Sequence, residues 1–371
     1  LGDQVGSGSY GDVFKGKWAP LKDVPVAIKV VRFKPGEKAT ALDDAEMLLM
    51  QRIRHPRLVL FFGSGVLKSR NCSFAVTEFL AGGDLMEFIE TAAASNDYEG
   101  AYPWEMRVRS ALDIAEGMEY LHSRDWVHRD LKSANILRDE IGRCKITDFG
   151  LSKSLSGQGA KGPSSVSSKS APRKRSVDTS IEMTAFTGSA PWLAPELITK
   201  NFEDIAVGGK EVDVYSFGCV LYELVEGRIP WSNAKCLEDI FGSVENGGRP
   251  KVATPMPSGH DQSYIHLKVC NLMSECWQQS ASRRPSFSKI AKVLHSVYQD
   301  HCRTRKRAST RASQRTSALF ARNKQSWDNG VKDKTAFLAS DSLAKESSNT
   351  RGRKSISNPV VKMVARKNDI V

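Results

Sequence analysis

The chain has 371 residues, of which 40% are hydrophobic and 26% charged, with a net charge of +12. That apolar share supports a sizeable core, and the length allows two or three domains. No uncharged run approaches the roughly eighteen apolar residues of a membrane span, and no signal peptide is visible. The charge is uneven: residues 300–371 carry 17 Lys and Arg against 6 Asp and Glu, a net +11, so the rest is nearly neutral.

Seven cysteines, at 72, 144, 219, 236, 270, 276 and 302, form no CxxC pair. This argues against a zinc framework and reads as reduced thiols in an intracellular, cytoplasmic protein. The chain begins at Leu1 and reads as a piece of a longer protein. A nuclear location, or a membrane tether upstream, stays open.

In chain order, the first elements are strands. Asp12–Lys17 alternates, and Val26–Val31 is a short β-branched apolar run. Leu42–Arg54 repeats apolar residues at helical spacing, and Phe74–Phe79 is again a strand, followed by the turn Ala81–Asp84. From Trp104 the pattern is helical, with Val108, Ala111, Leu112, Ala115 and Met118 on one face. Val214–Val225 is apolar nearly all round and predicts a helix buried in the middle of a domain. Leu267–Trp277 and Ser288–Tyr298 supply two more helices. The expectation is an α+β, two-lobed architecture: a small antiparallel-sheet lobe with one helix over residues 1–80, and a larger, mostly helical lobe over 81–298. Residues 154–179 and 299–371 lack the apolar area that offsets ordering entropy, so both are predicted to be disordered.

Three clusters carry chemistry. Gly6-Ser7-Gly8-Ser9-Tyr10-Gly11 lets backbone N–H groups approach phosphates. Alone it also fits an ordinary turn or a dinucleotide-binding loop, but the latter expects a helix next, and a strand pattern follows. Lys29 lies in an apolar strand, where a cation needs an anionic partner, and Glu46 on the following helix is the candidate. His128–Asn135, with Asp148 after it, offers a carboxylate, a cation and oxygen ligands for a divalent ion: Asp130, Lys132, Asn135 and Asp148.

These motifs, with Asp148-Phe149-Gly150 and Ala194-Pro195-Glu196, occur in the order of the eukaryotic protein-kinase family, which the chain resembles over residues 1–298. The resemblance implies transfer of the γ-phosphate of ATP to protein substrates, with Asp130 as catalytic base and Lys29 paired with Glu46 on the α- and β-phosphates. Lys132 would steady the γ-phosphate, and Asn135 and Asp148 would bind Mg²⁺, for which Mn²⁺ can substitute. Val5, Gly6, Ser7, Gly8 and Gly11 would cover the nucleotide. Val13, Ala27 and Leu137 would sandwich adenine, with Glu78 and Leu80 at the hinge, Thr77 as gatekeeper and Asp84 at the ribose. Glu196 would pair with Arg284, and Asp213 would anchor the catalytic loop.

Lys132, and Gly188-Ser189 where Ser/Thr kinases carry Gly-Thr, resemble a Ser/Thr active site, with Ser189 able to bond Asp130 and Lys132. Cys276-Trp277 and Arg284–Phe287 resemble the tyrosine-kinase end of the family, so the tyrosine-kinase-like group is implied. A dual-specificity or tyrosine kinase is the alternative, and a pseudokinase scaffold is disfavoured because Lys29, Asp130, Asn135 and Asp148 are all present. Arg129 implies a switch in which an upstream kinase phosphorylates the activation loop, at Thr184 or Thr187. Arg173–Ser176 is a phosphosite, a docking patch or plain solvated loop. The basic tail, with Arg-x-Ser triplets ending at Ser309, Ser313 and Ser317, fits an acidic partner, nucleic acid or a membrane surface.

Overall fold

The computed structural model describes residues 2–8, 11–19, 23–33, 51–95, 97–148, 153–154, 188–198, 209–253 and 260–346. The chain divides into two compact units, Leu1–Thr304 and Arg305–Val371. Most of the expected helix Leu42–Arg54, with Glu46, lies outside the described residues, as do the insert beyond Ser154, Arg173–Ser176, Thr184 and Thr187.

The first unit opens with a five-stranded antiparallel sheet: β1 (Gln4–Gly8), β2 (Gly11–Trp18), β3 (Val24–Arg32), β4 (Phe61–Leu67) and β5 (Cys72–Glu78), in the order β1-β2-β3-β5-β4. The register decides what each face does. Val13 lies opposite Lys29, Lys29 opposite Ala75, and Ala27 opposite Thr77. Directly opposed residues share a face, so Val13, Ala27, Lys29, Ala75 and Thr77 line one side. The other side carries Val26, Val30 and Val76, all buried. One face therefore builds the small lobe's core, and the other is left for the cleft.

Gly8 pairs with Gly11, so the glycine loop joins two strands and no helix follows it. That geometry removes the dinucleotide reading. Gly11 has φ +121°, and a Cβ there would sit 2.3 Å from the Val30 carbonyl oxygen, so only glycine fits.

The larger lobe contains α1 (Leu85–Ala94), α2 (Tyr98–Ala101), α3 (Trp104–Ser123), α4 (Pro195–Ile198), α5 (Lys210–Glu226), α6 (Leu237–Glu245), α7 (His260–Cys276) and the start of α8 (Phe287–Glu346). Two short antiparallel pairs, β6 (Trp126–Val127) with β9 (Lys153–Ser154) and β7 (Ile136–Arg138) with β8 (Cys144–Ile146), complete it. All of Val212–Val225 in α5 is buried, as its all-round apolar pattern predicts. α3 lays Val108, Ala111, Leu112, Ala115 and Met118 into the same core. The lobes are stitched beside the cleft: Val59 N–H donates to the Ile146 carbonyl and Ile146 N–H to the Arg57 carbonyl, each at 2.9 Å.

One expectation is corrected here. The composition of residues 299–371 predicts disorder, whereas α8 continues to Glu346. Every described side chain from Arg305 to Gln325 is exposed, so burial does not hold this stretch. Its Arg, Lys, Ala and Gln residues are strong helix formers, and no proline interrupts it between Pro285 and Pro359. An argument from apolar area alone misses that local propensity.

Candidate active site

The segment His128–Asn135 leaves β6 and enters β7 across the front of α5. Its backbone has no ladder to join, so a side chain must satisfy it. Asp213, fully buried in the first turn of α5, accepts from the backbone N–H groups of His128 and Arg129, both at 2.8 Å, and from His122 Nε2 at 2.8 Å. Burial alone would push its carboxyl up. The His122 and His128 contacts outweigh that and hold it below the usual carboxylate range. Arg129 and Asp148 adopt φ of +69° and +60°. Such backbones cost non-glycine residues on the order of 1–3 kcal/mol, and surrounding bonds must over-determine them. The Asp213 carboxylate does so for Arg129.

Asp130 Oδ2 accepts from Asn135 Nδ2 at 2.8 Å and faces Lys132 Nζ at 3.1 Å. Its Oδ1 is buried and has no hydrogen-bond partner among the described residues. Lys132 Nζ also donates to Ser189 Oγ at 2.5 Å. Ser189 therefore reaches Asp130 through Lys132, and the direct Ser189–Asp130 bond expected from sequence is not among the described contacts. Asn135 Nδ2 donates to the Asp130 carbonyl as well, at 2.7 Å, which turns its Oδ1 away from the loop.

Lys29 Nζ meets Asp148 Oδ1 at 2.9 Å, across 119 residues of sequence. His128 Nε2 contacts the Thr147 carbonyl at 3.0 Å, and Thr147 N–H donates to the Asn135 carbonyl at 3.0 Å. Asp148, Asn135 and Asp130 are thus held in one frame. Asn135 Oδ1 and the second Asp148 oxygen suit a hard divalent cation that takes one or two protein ligands plus phosphate oxygens.

The hinge residues sort by face. The Glu78 carboxylate turns away from the cleft to Lys145 Nζ, at 2.7 and 2.8 Å, and to Leu60 N–H. Glu78 N–H donates to the Leu60 carbonyl at 2.9 Å, and its own carbonyl accepts from Thr77 Oγ1 at 3.2 Å. Leu137 is half-exposed between the buried Ile136 and Arg138. Val5 sits exposed at the irregularity between Gln4 and Gly6. Asp84 has a duty not read from the sequence: its side chain accepts from Glu87 N–H at 2.8 Å and caps α1. In the lower lobe, Arg284 grips Glu196 with two bonds, 2.6 and 2.8 Å.

A family described as protein tyrosine and serine/threonine kinase matches residues 1–294. The chain belongs to that family. Relatives include serine/threonine-protein kinase STY17 of Arabidopsis thaliana, 31% identical over 300 residues, covering 80% of this chain and 44% of that protein. Serine/threonine-protein kinase STY46 of the same organism is 31% identical over the same shares. Serine/threonine/tyrosine-protein kinase HT1, also of Arabidopsis thaliana, is 30% identical over 308 residues, 81% of this chain and 66% of that one. The chain spans less than half the length of the first two relatives.

Sequence reasoning passed over one group in this kinase domain. Glu223, on the last turn of α5, is buried among apolar neighbours and accepts from Ser133 Oγ and from Trp192 Nε1, the latter at 2.8 Å. The signal was present: a carboxylate inside an all-round apolar helix must have partners. Burial pushes its carboxyl from 4.5 up to about 8. The folded state therefore keeps a proton that the unfolded chain releases, and stability should fall as pH rises from about 4.5 to about 8. Thermal melts across that window test this. Glu223→Gln should flatten the slope, and an unchanged slope would refute the assignment.

Proposed function

We propose that this chain is an ATP-dependent protein kinase that phosphorylates serine and threonine hydroxyls of protein substrates. The observation that carries the reading is the Asp130 carboxylate, with one oxygen held by Asn135 and Lys132 and the other without a hydrogen-bond partner among the described residues. That second oxygen can accept the substrate hydroxyl's proton as the hydroxyl oxygen attacks the γ-phosphorus and the bond to the β-phosphate oxygen breaks. Lys132 places positive charge beside the reacting groups, and its bond to Ser189 couples the catalytic loop to the substrate-side segment. Lys29 is the cation for the α- and β-phosphates, with Glu46 its proposed second partner. The covering role of the glycine loop, the adenine contacts of Val13, Ala27, Leu80 and Leu137, the gatekeeper role of Thr77 and the ribose contact of Asp84 belong to the same proposal.

Asn135 and Asp148 would hold Mg²⁺, or Mn²⁺ in its place, which neutralises phosphate charge when bound. Control by an upstream kinase at Thr184 or Thr187, read by Arg129, is part of this reading. So is an intracellular compartment, supported by seven free thiols. The +11 on residues 300–371 supports a role for the tail in engaging an acidic partner surface.

The test is phosphoamino-acid analysis of a mixed protein substrate with radiolabelled ATP. Phosphoserine and phosphothreonine are expected, and Lys29→Met should abolish both while the melting curve is preserved. Mainly phosphotyrosine would overturn the specificity, and undiminished label from the Lys29 variant would overturn the role of the lysine.

A further inference from the structure

None of the residues assigned to the active site lies in the second unit, Arg305–Val371. Its opening stretch stands out by charge. From Arg305 to Trp327 there are seven Lys and Arg and no Asp or Glu, all within α8. A helix face that merely meets water usually mixes its signs, and opposite charges at i and i+4 support it. Here the spacing does the reverse. Arg307, Arg311 and Arg315 succeed one another at i, i+4, and Arg322 follows seven residues later, so the helical repeat brings these four positions into one row. Like charges so placed oppose the helix, and an anion laid along the row removes the opposition. Arg311 and Arg315 are exposed, and neither meets a carboxylate among the described residues.

The row suits one polyanion better than others. Its first three arginine positions repeat about every 6 Å along the axis, and Arg305–Lys324 covers about 30 Å. The residues between them are mostly small, Ala308, Ala312 and Ser313 among them. A slim helix of this kind lies against a phosphate backbone or enters the roughly 12 Å major groove of a duplex. A helix that lies in a membrane surface needs a broad apolar face. Here the exposed large apolar side chains are Leu319 and Phe320, neighbours in sequence set about 100° apart around the axis. Single-stranded nucleic acid is gripped by base stacking on aromatic side chains, and Phe320 is the one aromatic residue from Arg305 to Gln325.

We propose that α8 over Arg305–Lys324 binds double-stranded nucleic acid through its phosphate backbone, without reading the sequence. The proposal rests on the acidic-surface reading of the tail given above and narrows it to one partner. Arginine suits the task, because its planar guanidinium presents paired N–H donors to two phosphate oxygens. Each phosphate neutralised releases condensed counterions, so affinity falls steeply as salt rises. The helix matters as well as the charge, since only the helical repeat sets Arg307, Arg311, Arg315 and Arg322 in one row.

The experiment uses the whole chain and fluorescent DNA duplexes of about twenty base pairs, long enough to seat the helix. The logarithm of affinity should fall against the logarithm of salt with a slope of about −3.5 or steeper, from four phosphates at about −0.9 each. Two duplexes of unrelated sequence should bind alike. Arg311→Gln combined with Arg315→Gln should reduce the slope by about 2 and leave peptide phosphorylation unchanged; glutamine keeps the helix propensity. Ala312→Pro keeps every charge but breaks the helix between the two arginines, and it should lose affinity too. Wild-type binding by either variant, or a marked preference between the two sequences, overturns the proposal. Phosphatidylserine vesicles and poly-L-glutamate, at the same salt, stand for the other acidic surfaces. Tighter binding to either overturns the proposal and leaves the acidic-surface reading in place, whereas binding to none of the three probes overturns both.

Discussion

Asp130→Asn should lower kcat by roughly 10²–10⁴-fold, the usual contribution of a positioned general base, and leave both melting temperature and nucleotide affinity near wild type. The separation follows from geometry. The asparagine carbonyl can still accept from Asn135 and Lys132, which now meet Asp130 Oδ2 at 2.8 and 3.1 Å. What changes is the other position, where Oδ1 is buried without a described partner. An NH₂ group there cannot take a proton. The groups proposed for the nucleotide, Lys29 and Asp148, bond each other and not Asp130, so the substitution leaves them untouched. Single-turnover rates with a saturating peptide, beside titration of a fluorescent ATP analogue, measure the two quantities apart. Loss of nucleotide affinity equal to the loss of rate would mean that Asp130 organises the pocket and is not the base.

Much of this site is legible in the sequence because its residues are local. Asp130, Lys132 and Asn135 fall within six positions, and their chemistry needs no fold to be suspected. The strands are legible for a similar reason, since alternation along Asp12–Lys17 is a short-range signal. What stays hidden is long-range. Lys29 meets Asp148 across 119 residues, and no periodicity predicts that Val13, Ala27 and Thr77 share a face until the register is known. Asp84 shows how one residue can serve two ends: its spacing to Glu87 is a capping pattern, and the family resemblance drew attention to the ribose instead. The helix over residues 299–346 is hidden from a reading of apolar area, because burial and propensity are separate sources of helix.

Asp213→Ala should be the most damaging single substitution in the larger lobe, costing about 3–5 kcal/mol of stability, as is typical when one partner of a buried charged network is removed. The loss is larger than that of one contact because three donors are orphaned together: His122 Nε2 and the backbone N–H groups of His128 and Arg129. Water cannot readily replace the carboxylate, since His128 and Asp213 are both fully buried. The left-handed backbone of Arg129 then loses the bond that holds it, and the loop can relax towards a conformation that no longer presents Asp130. Activity and melting temperature should therefore fall together, in contrast to Asp130→Asn, where only activity falls. Asp213→Asn should lie between, because its carbonyl satisfies part of the set while its NH₂ faces a donor. The linkage has a sign as well. A carboxyl held below its ordinary 3.8 contributes stability above that pH and loses the contribution only as pH drops through the folded-state value. Wild-type and Asp213→Asn melts should therefore differ most near neutrality and converge in strong acid. A constant difference down to the acid limit would mean that the aspartate's charge contributes nothing and that only its shape matters.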